Sequence, residues 1–143
     1  MSAYPFSPSP ERSRIMAAIR SRDTKPEMLV RSLLRALGFS GYRLHRKDLP
    51  GKPDIAYLGR RKAIFVHGCF WHGHTCKMGA RMPKVNEIYW STKIARNRDR
   101  DAICAAELAK LGWYVLVIWE CELRNLEAAS DRLDAFMRSS EIR

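Results

Sequence analysis

The segment that most constrains the fold of this chain is the apolar run Trp113-Tyr114-Val115-Leu116-Val117-Ile118-Trp119. It lacks the polar–apolar alternation of a strand with one wet face, so it predicts a strand buried on both sides, at the centre of a sheet. Such a strand needs a layer of structure above and below it, which directs the chain to an α/β architecture. The same run is far too short to cross a bilayer.

The flanking patterns agree. Thr24-Lys25-Pro26-Glu27 has the form of a capping box, and Met28, Val30, Leu33, Leu34 and Leu37 follow at helical spacing up to Gly38. Residues 42–45, 55–58 and 63–66 are strand-like, with Gly59-Arg60-Arg61 as the hairpin turn between the last two. Residues 68–84 follow neither period and predict a loop. Residues 85–111 are helical up to Gly112, and a last helix over 126–137 carries Leu126, Leu133, Phe136 and Met137. Ahead of all these, Ser9-Pro10-Glu11 opens a short helix with Ile15, Met16 and Ile19 on its apolar face. The order α-α-β-β-β-α-β-α predicts a mixed β-sheet flanked by helices. At 143 residues, with 46% hydrophobic, the chain suits one domain with a real core, over residues 12–143 behind a Pro/Ser-rich arm over 1–11. With no apolar signal segment near the N-terminus, a soluble cytoplasmic protein is expected, with reduced or metal-bound cysteines.

Charge narrows the partner. The net charge is +11, but residues 1–118 carry 22 basic and 9 acidic side chains, whereas residues 119–143 carry 4 and 6. Arg outnumbers Lys 18 to 8, and the planar guanidinium suits bidentate phosphate contacts. A phosphate polyanion fits such a surface, and no membrane role is indicated.

Chemistry concentrates in the predicted loop. His67, Cys69, His72, His74 and Cys76 fall within eleven residues, three of the four histidines and two of the four cysteines. Cys69, His74 and Cys76 can give three of the four ligands of a tetrahedral zinc ion, and Cys121, just after the apolar run, is available as a fourth. The alternative is a reduced thiol pair with solvated histidines. Cys104, beside Ala105 and Leu108 on a helix, reads as core. His67 and His72 remain as imidazoles able to accept a proton from water, although a metal could claim either one. Asp54 opens a strand in a basic stretch and can hold Mg²⁺, or it can simply belong to a turn. Asp99 and Asp101 lie among arginines, where one of them could orient a histidine or both could pair with cations. Tyr89 and Trp90 open a helix that continues through Lys93, Arg96, Arg98 and Arg100, and Phe70 and Trp71 sit in the polar loop. Such rings suit stacking on bases while phosphates are held, or ordinary packing on the helix face and over the loop.

Taken together, Leu49-Pro50-Gly51-Lys52-Pro53-Asp54, Phe65-Val66-His67-Gly68-Cys69-Phe70-Trp71-His72, His74 to Cys76, and Leu111-Gly112-Trp113 with Trp119-Glu120-Cys121 resemble the very-short-patch-repair (Vsr) DNA mismatch endonucleases. The likeness runs from about Arg12 to about Arg124. It implies a restriction-endonuclease-like mixed β-sheet flanked by helices, with a structural Zn²⁺ site. It implies an enzyme that nicks one strand 5′ to the thymine of a T:G mismatch left by deamination of 5-methylcytosine, after which a repair polymerase and a ligase finish the patch. A monomer acting on double-stranded DNA in the bacterial-type, nucleoid-associated cytoplasm is expected.

By that resemblance Asp54 and the backbone oxygen of Val66 hold a catalytic Mg²⁺, and Glu27 reaches the metal through water. His72 is the general base, Asp101 orients it, and His67 contacts the scissile phosphate or the leaving oxygen. Cys69, His74, Cys76 and Cys121 are the zinc ligands. Phe70, Trp71 and Trp90 form an aromatic wedge on the major-groove side, and Met16 enters from the minor groove. Two other readings remain open. One is a non-catalytic zinc module that binds mismatched or bent DNA, and the other is a restriction-type nuclease cutting paired DNA.

Overall fold

The computed structural model describes residues 24–69, 72, 74, 76 and 85–139. Among these the chain runs α1 (Lys25–Ala36), β1 (Arg43–Leu44), β2 (Ile55–Tyr57), β3 (Lys62–His67), α2 (Glu87–Lys110), β4 (Tyr114–Trp119), a 3-10 turn (Glu120–Arg124) and α3 (Leu126–Arg138). The arm over residues 1–11 and the helix expected around Ile15 lie outside the described residues.

The strands form one mixed sheet in the order β1-β2-β3-β4. The first two pairings are antiparallel, and Arg61 N–H donates to Leu58 O at 3.4 Å to close the β2–β3 turn where it was expected. β3 and β4 are parallel, His67 standing opposite Trp119. A parallel neighbour requires a crossover, and α2 supplies it.

β4 departs from expectation. Among the described residues it lies at the edge of the sheet, not in its centre, and along it only Ile118 is fully buried. Leu116 and Ile118 pack with the main core, while α2 packs against the same strand. A strand approached by helices needs a continuous apolar pattern wherever it sits in the sheet, so the pattern cannot separate edge from centre.

The core lies on one face of the sheet. Val30 and Leu34 of α1, Ile55, Tyr57, Ile64 and Ile118 of the strands, and Leu133 and Met137 of α3 pack there. Side chains alternate across a strand, so the face carrying Ile64 and Ile118 excludes His67 and Trp119, which project to the other side. The predicted capping box does not form. Thr24 is the N-cap of α1 but makes no side-chain capping bond, and Glu27, buried at 2% exposure, is bound to Arg31 and His45 instead. A guanidinium is a stronger partner for a carboxylate than a lone backbone amide.

Lys62, at 0% exposure, shares the core face and closes the far end of α3. Its Nζ donates to the carbonyls of Phe136 (2.7 Å), Met137 (2.9 Å) and Ser139 (3.3 Å), where the helix dipole favours a cation. Lys62→Met keeps the volume but strips these carbonyls of a charged donor. It is expected to cost about 2–4 kcal/mol in urea unfolding; a loss under about 0.5 kcal/mol would remove Lys62 from the stabilising set.

Candidate active site and metal centre

Strand register brings the chemistry to one end of the sheet. Leu44 pairs with Ile55, Ile55 with Ile64, and His67 with Trp119. The last residues of β1, β3 and β4 therefore lie beside the first of β2, together with His45, Asp54, His67 and the turn that carries Cys121.

Asp54 reaches this end through a tight loop. Lys52 N–H donates to Leu49 O at 3.1 Å, and Gly51 sits at φ +78°. A side chain at Gly51 would meet Cys104 Cβ at 2.9 Å and Phe65 Cε1 at 3.2 Å, so glycine is required on two counts. Cys104 thus packs under the loop, apart from the other cysteines. Val66 N–H donates to Asp54 Oδ2 at 2.7 Å. Burial pushes the Asp54 carboxyl up to about 6, with the amide of Val66 opposing the rise and the charge of Glu27 adding to it. One ligand atom each from Glu27, His45 and Asp54 lies within 4.8 Å of the others. A buried and a half-buried carboxylate converging, with a main-chain segment tied to one of them, form a donor set suited to a hard divalent cation.

A second cluster stands on α2 and the loop. Asp101 Oδ2 is 2.5 Å from His72 Nδ1 and 3.9 Å from His67 Nδ1. The two imidazoles stack with centroids 3.8 Å apart and an interplanar angle of 3°. Burial, then the nearby His72, push His67 down to about 4 against the pull of Asp101, so His67 is neutral at physiological pH. Burial alone would raise Asp101, but the hydrogen bond and charge of His72 outweigh it and hold this carboxyl below its ordinary value. Asp101 is therefore ionised and fixes the orientation of His72. Asp99, the other acid of this stretch, is exposed.

The third cluster joins Cys69, His74, Cys76 and Cys121, whose ligand atoms all lie within 4.8 Å of one another. Cys121 Sγ is 3.5 Å from His74 Nδ1, close to the edge of about 3.6 Å expected for a tetrahedron of sulfur and nitrogen around one metal ion. Cys121 N–H points at Cys69 Sγ from 3.4 Å, the outer bond a metal-bound thiolate accepts. Burial pushes the Cys69 thiol up to about 12, so without a cation it is no free nucleophile. All four cysteines are free thiols. The cluster is able to hold a metal.

Of the residues expected to face DNA, Trp90 lies in the first turn of α2, edge-on to Tyr89 with centroids 4.9 Å apart. Met16, Phe70 and Trp71 lie outside the described residues. Arg96, Arg98 and Arg100 on α2 are exposed, as a phosphate-facing helix requires.

Three residues of this region escaped sequence reasoning. His45 joins the acid cluster, Arg31 binds Glu27, and Trp119 stacks on His74 (4.2 Å, 17°) while meeting His67 edge-on (5.1 Å, 76°). Trp119 thereby packs the Cys/His cluster against the histidine pair. Its place two residues before Cys121 was a usable signal; His45 and Arg31 had none.

An acid cluster beside an oriented histidine, on a strongly basic chain, is the equipment of a nuclease, and comparison with known proteins makes the class definite: strand-nicking DNA endonucleases. Residues 6–78 match the family model described as DNA mismatch endonuclease Vsr. The chain is 55% identical over 126 residues to the Type II nicking enzyme V.XorIIP of Xanthomonas oryzae pv. oryzae, covering 87% of this chain and 91% of that protein. It is 44% identical over 128 residues to the Type II nicking enzyme V.NmeAIP of Neisseria meningitidis, with 90% of each covered. It is 42% identical over 120 residues to the DNA mismatch endonuclease Vsr of Escherichia coli, covering 84% of this chain and 76% of that protein. The chain belongs to the Vsr family of DNA mismatch endonucleases. It is a hydrolase of DNA, and the non-catalytic reading gives way. Among the described residues no helix is long and apolar enough to cross a membrane.

Proposed function

We propose that this endonuclease nicks one strand 5′ to the thymine of a T:G mismatch, by Mg²⁺-dependent hydrolysis of the phosphodiester. The observation that carries the proposal is the placement of His72, oriented by the Asp101 carboxylate, near the half-buried Asp54 and the buried Glu27 at one end of the sheet. The E. coli relative's name, a mismatch endonuclease, supports the substrate.

Asp54 and the Val66 carbonyl would hold Mg²⁺, which needs oxygen donors, with Glu27 reaching the ion through water. Bound there, the ion supplies charge neutralisation at the phosphate and the leaving oxygen. His72, its Nδ1–H donating a hydrogen bond to the Asp101 carboxylate, offers Nε2 to a water and removes that water's proton. His67, neutral and stacked on His72, contributes a hydrogen bond to the phosphate or the leaving oxygen. Cys69, His74, Cys76 and Cys121 would hold a structural Zn²⁺, the usual ion for a closed thiolate-rich tetrahedron. Phe70, Trp71, Trp90 and Met16 act as the wedge; unstacking beside a mismatch costs less than beside a sound pair, which favours the T:G site. We assign residues 12–143 to one restriction-endonuclease-like domain behind an arm over 1–11. It works as a cytoplasmic monomer, and a polymerase and a ligase complete the repair.

A T:G duplex labelled on both strands, incubated with and without Mg²⁺ beside its T:A counterpart, tests this. The expected product is one nick 5′ to the mispaired thymine, only with Mg²⁺, and at least about tenfold slower on the paired duplex. Double-strand cuts on T:A DNA would replace the proposal with the restriction-type reading.

A further inference from the structure

His45 is the histidine to which neither motif nor spacing gives a task, yet its ring is built into the acid cluster. Its Nε2 lies 2.9 Å from Glu27 Oε2. A carboxylate oxygen only accepts, so at this distance Nε2 carries a proton and donates. Arg31 Nη2 binds the same Oε2 and lies 3.3 Å from His45 Nε2. Two donors thus converge on one oxygen of a carboxylate that is 2% exposed. A buried Glu side chain with three rotatable bonds is thereby fixed.

The backbone of His45 is specialised for the task. It adopts φ +51°, a left-handed conformation that few residues other than glycine accept, directly after the two residues of β1. Its N–H donates to Asp54 O at 3.2 Å. One residue therefore touches both acids, the main chain of Asp54 and the side chain of Glu27. Strained backbone of this kind persists where surrounding contacts determine it, and it concentrates at functional sites.

We propose that His45 is a positioning residue: it holds the Glu27 carboxylate, by a hydrogen bond from Nε2, in the orientation the divalent-cation site needs. This rests on Glu27 and Asp54 forming that site. Partners of ligating carboxylates commonly change metal affinity by about 10–100-fold when removed.

Asparagine tolerates a left-handed backbone but is too short to reach Glu27, whereas glutamine can present an N–H near the Nε2 position. Mn²⁺ binding to the full chain, loaded at its Cys/His cluster, is followed by the loss of the free-ion paramagnetic signal. His45→Asn is expected to weaken Mn²⁺ about tenfold or more and to raise the Mg²⁺ concentration for half-maximal nicking by a similar factor. The rate at saturating Mg²⁺ should fall less. His45→Gln should retain most of the affinity, and in a Glu27→Gln background His45→Asn should add no further loss. Wild-type Mn²⁺ affinity in His45→Asn, equal losses in the Asn and Gln variants, or an undiminished loss in the Glu27→Gln background each overturn the proposal. Failure of the underlying site looks different: Asp54→Asn would then bind Mn²⁺ like the wild type.

Discussion

Asp54→Asn is expected to abolish nicking of a T:G duplex, by at least about 10³-fold, and at the same time to make the cation-free protein more stable. Both effects come from one feature, a carboxylate held where its charge is badly solvated. Burial pushes Asp54 up to about 6, against about 3.9 in an unfolded chain. An acid with a raised folded-state value costs nothing when both states are protonated, below about pH 4. The cost grows as pH rises toward 6 and is complete above it. Asparagine has the same shape, keeps an oxygen for the Val66 amide and carries no charge.

The stability gain should therefore be about 1–2 kcal/mol at pH 8, below the full cost of a two-unit shift because Asp54 is not sealed from solvent. It should shrink below pH 6 and vanish near pH 4. Urea unfolding of both proteins at several pH values, without added divalent cation, measures this. Added Mg²⁺ should stabilise the wild type and leave Asp54→Asn unchanged. His72→Ala supplies the contrast, since it should lose nicking without the pH-dependent gain. If Asp54→Asn nicked at the wild-type rate, or were less stable than wild type at pH 8, Asp54 would not be the strained acid of the site. Such a trade of stability for charge is what a site arranged to hold a cation should show.

How much of this was legible in the sequence depended on whether the signal was local. The Leu49-to-Asp54 loop, the 58–61 turn and the helix ending at Gly112 follow from neighbouring residues, and each is found where its own chemistry places it. The four Cys/His residues were legible by type, because few side chains form such a donor set. The choice between Asp99 and Asp101 was not: it depends on which one the turn of α2 aims at His72. β4 was legible as a strand but not as an edge strand, since the pattern reports burial and not neighbours. Glu27 had a local partner in Thr24 and a better one in Arg31, and the better one formed. His45 carried no local signal at all. Its importance comes from a left-handed backbone and two acids brought to it by the β1–β2 pairing and by α1.

Cys121→Ser should have the larger structural effect, because the Cys/His cluster joins the segment after β3 to the turn after β4. Among the described residues of the segment after β3, His72 N–H donates to Gly68 O at 3.2 Å and His74 N–H to Cys69 O at 2.9 Å. A metal on Cys69, His74 and Cys76 ties that segment to the turn after β4 only through Cys121, so removing this ligand releases the tie. His72 lies on the released segment, and Trp119, which packs on His74, loses its footing against His67. The variant should therefore lose its bound metal, about 3–5 kcal/mol of stability, roughly 10–20 °C in Tm, and nicking as well. Cys104→Ser separates this from a general effect of losing a thiol. Cys104 packs beside Gly51 and Phe65, outside the cluster, so its metal content should be unchanged. Elemental analysis should find one zinc per chain in the wild type and in Cys104→Ser and none in Cys121→Ser, and cobalt in its place should give the charge-transfer absorption of thiolate ligands. A Cys121→Ser protein that kept both its metal and its Tm would take Cys121 out of the cluster, and the link from the metal centre to His72 with it.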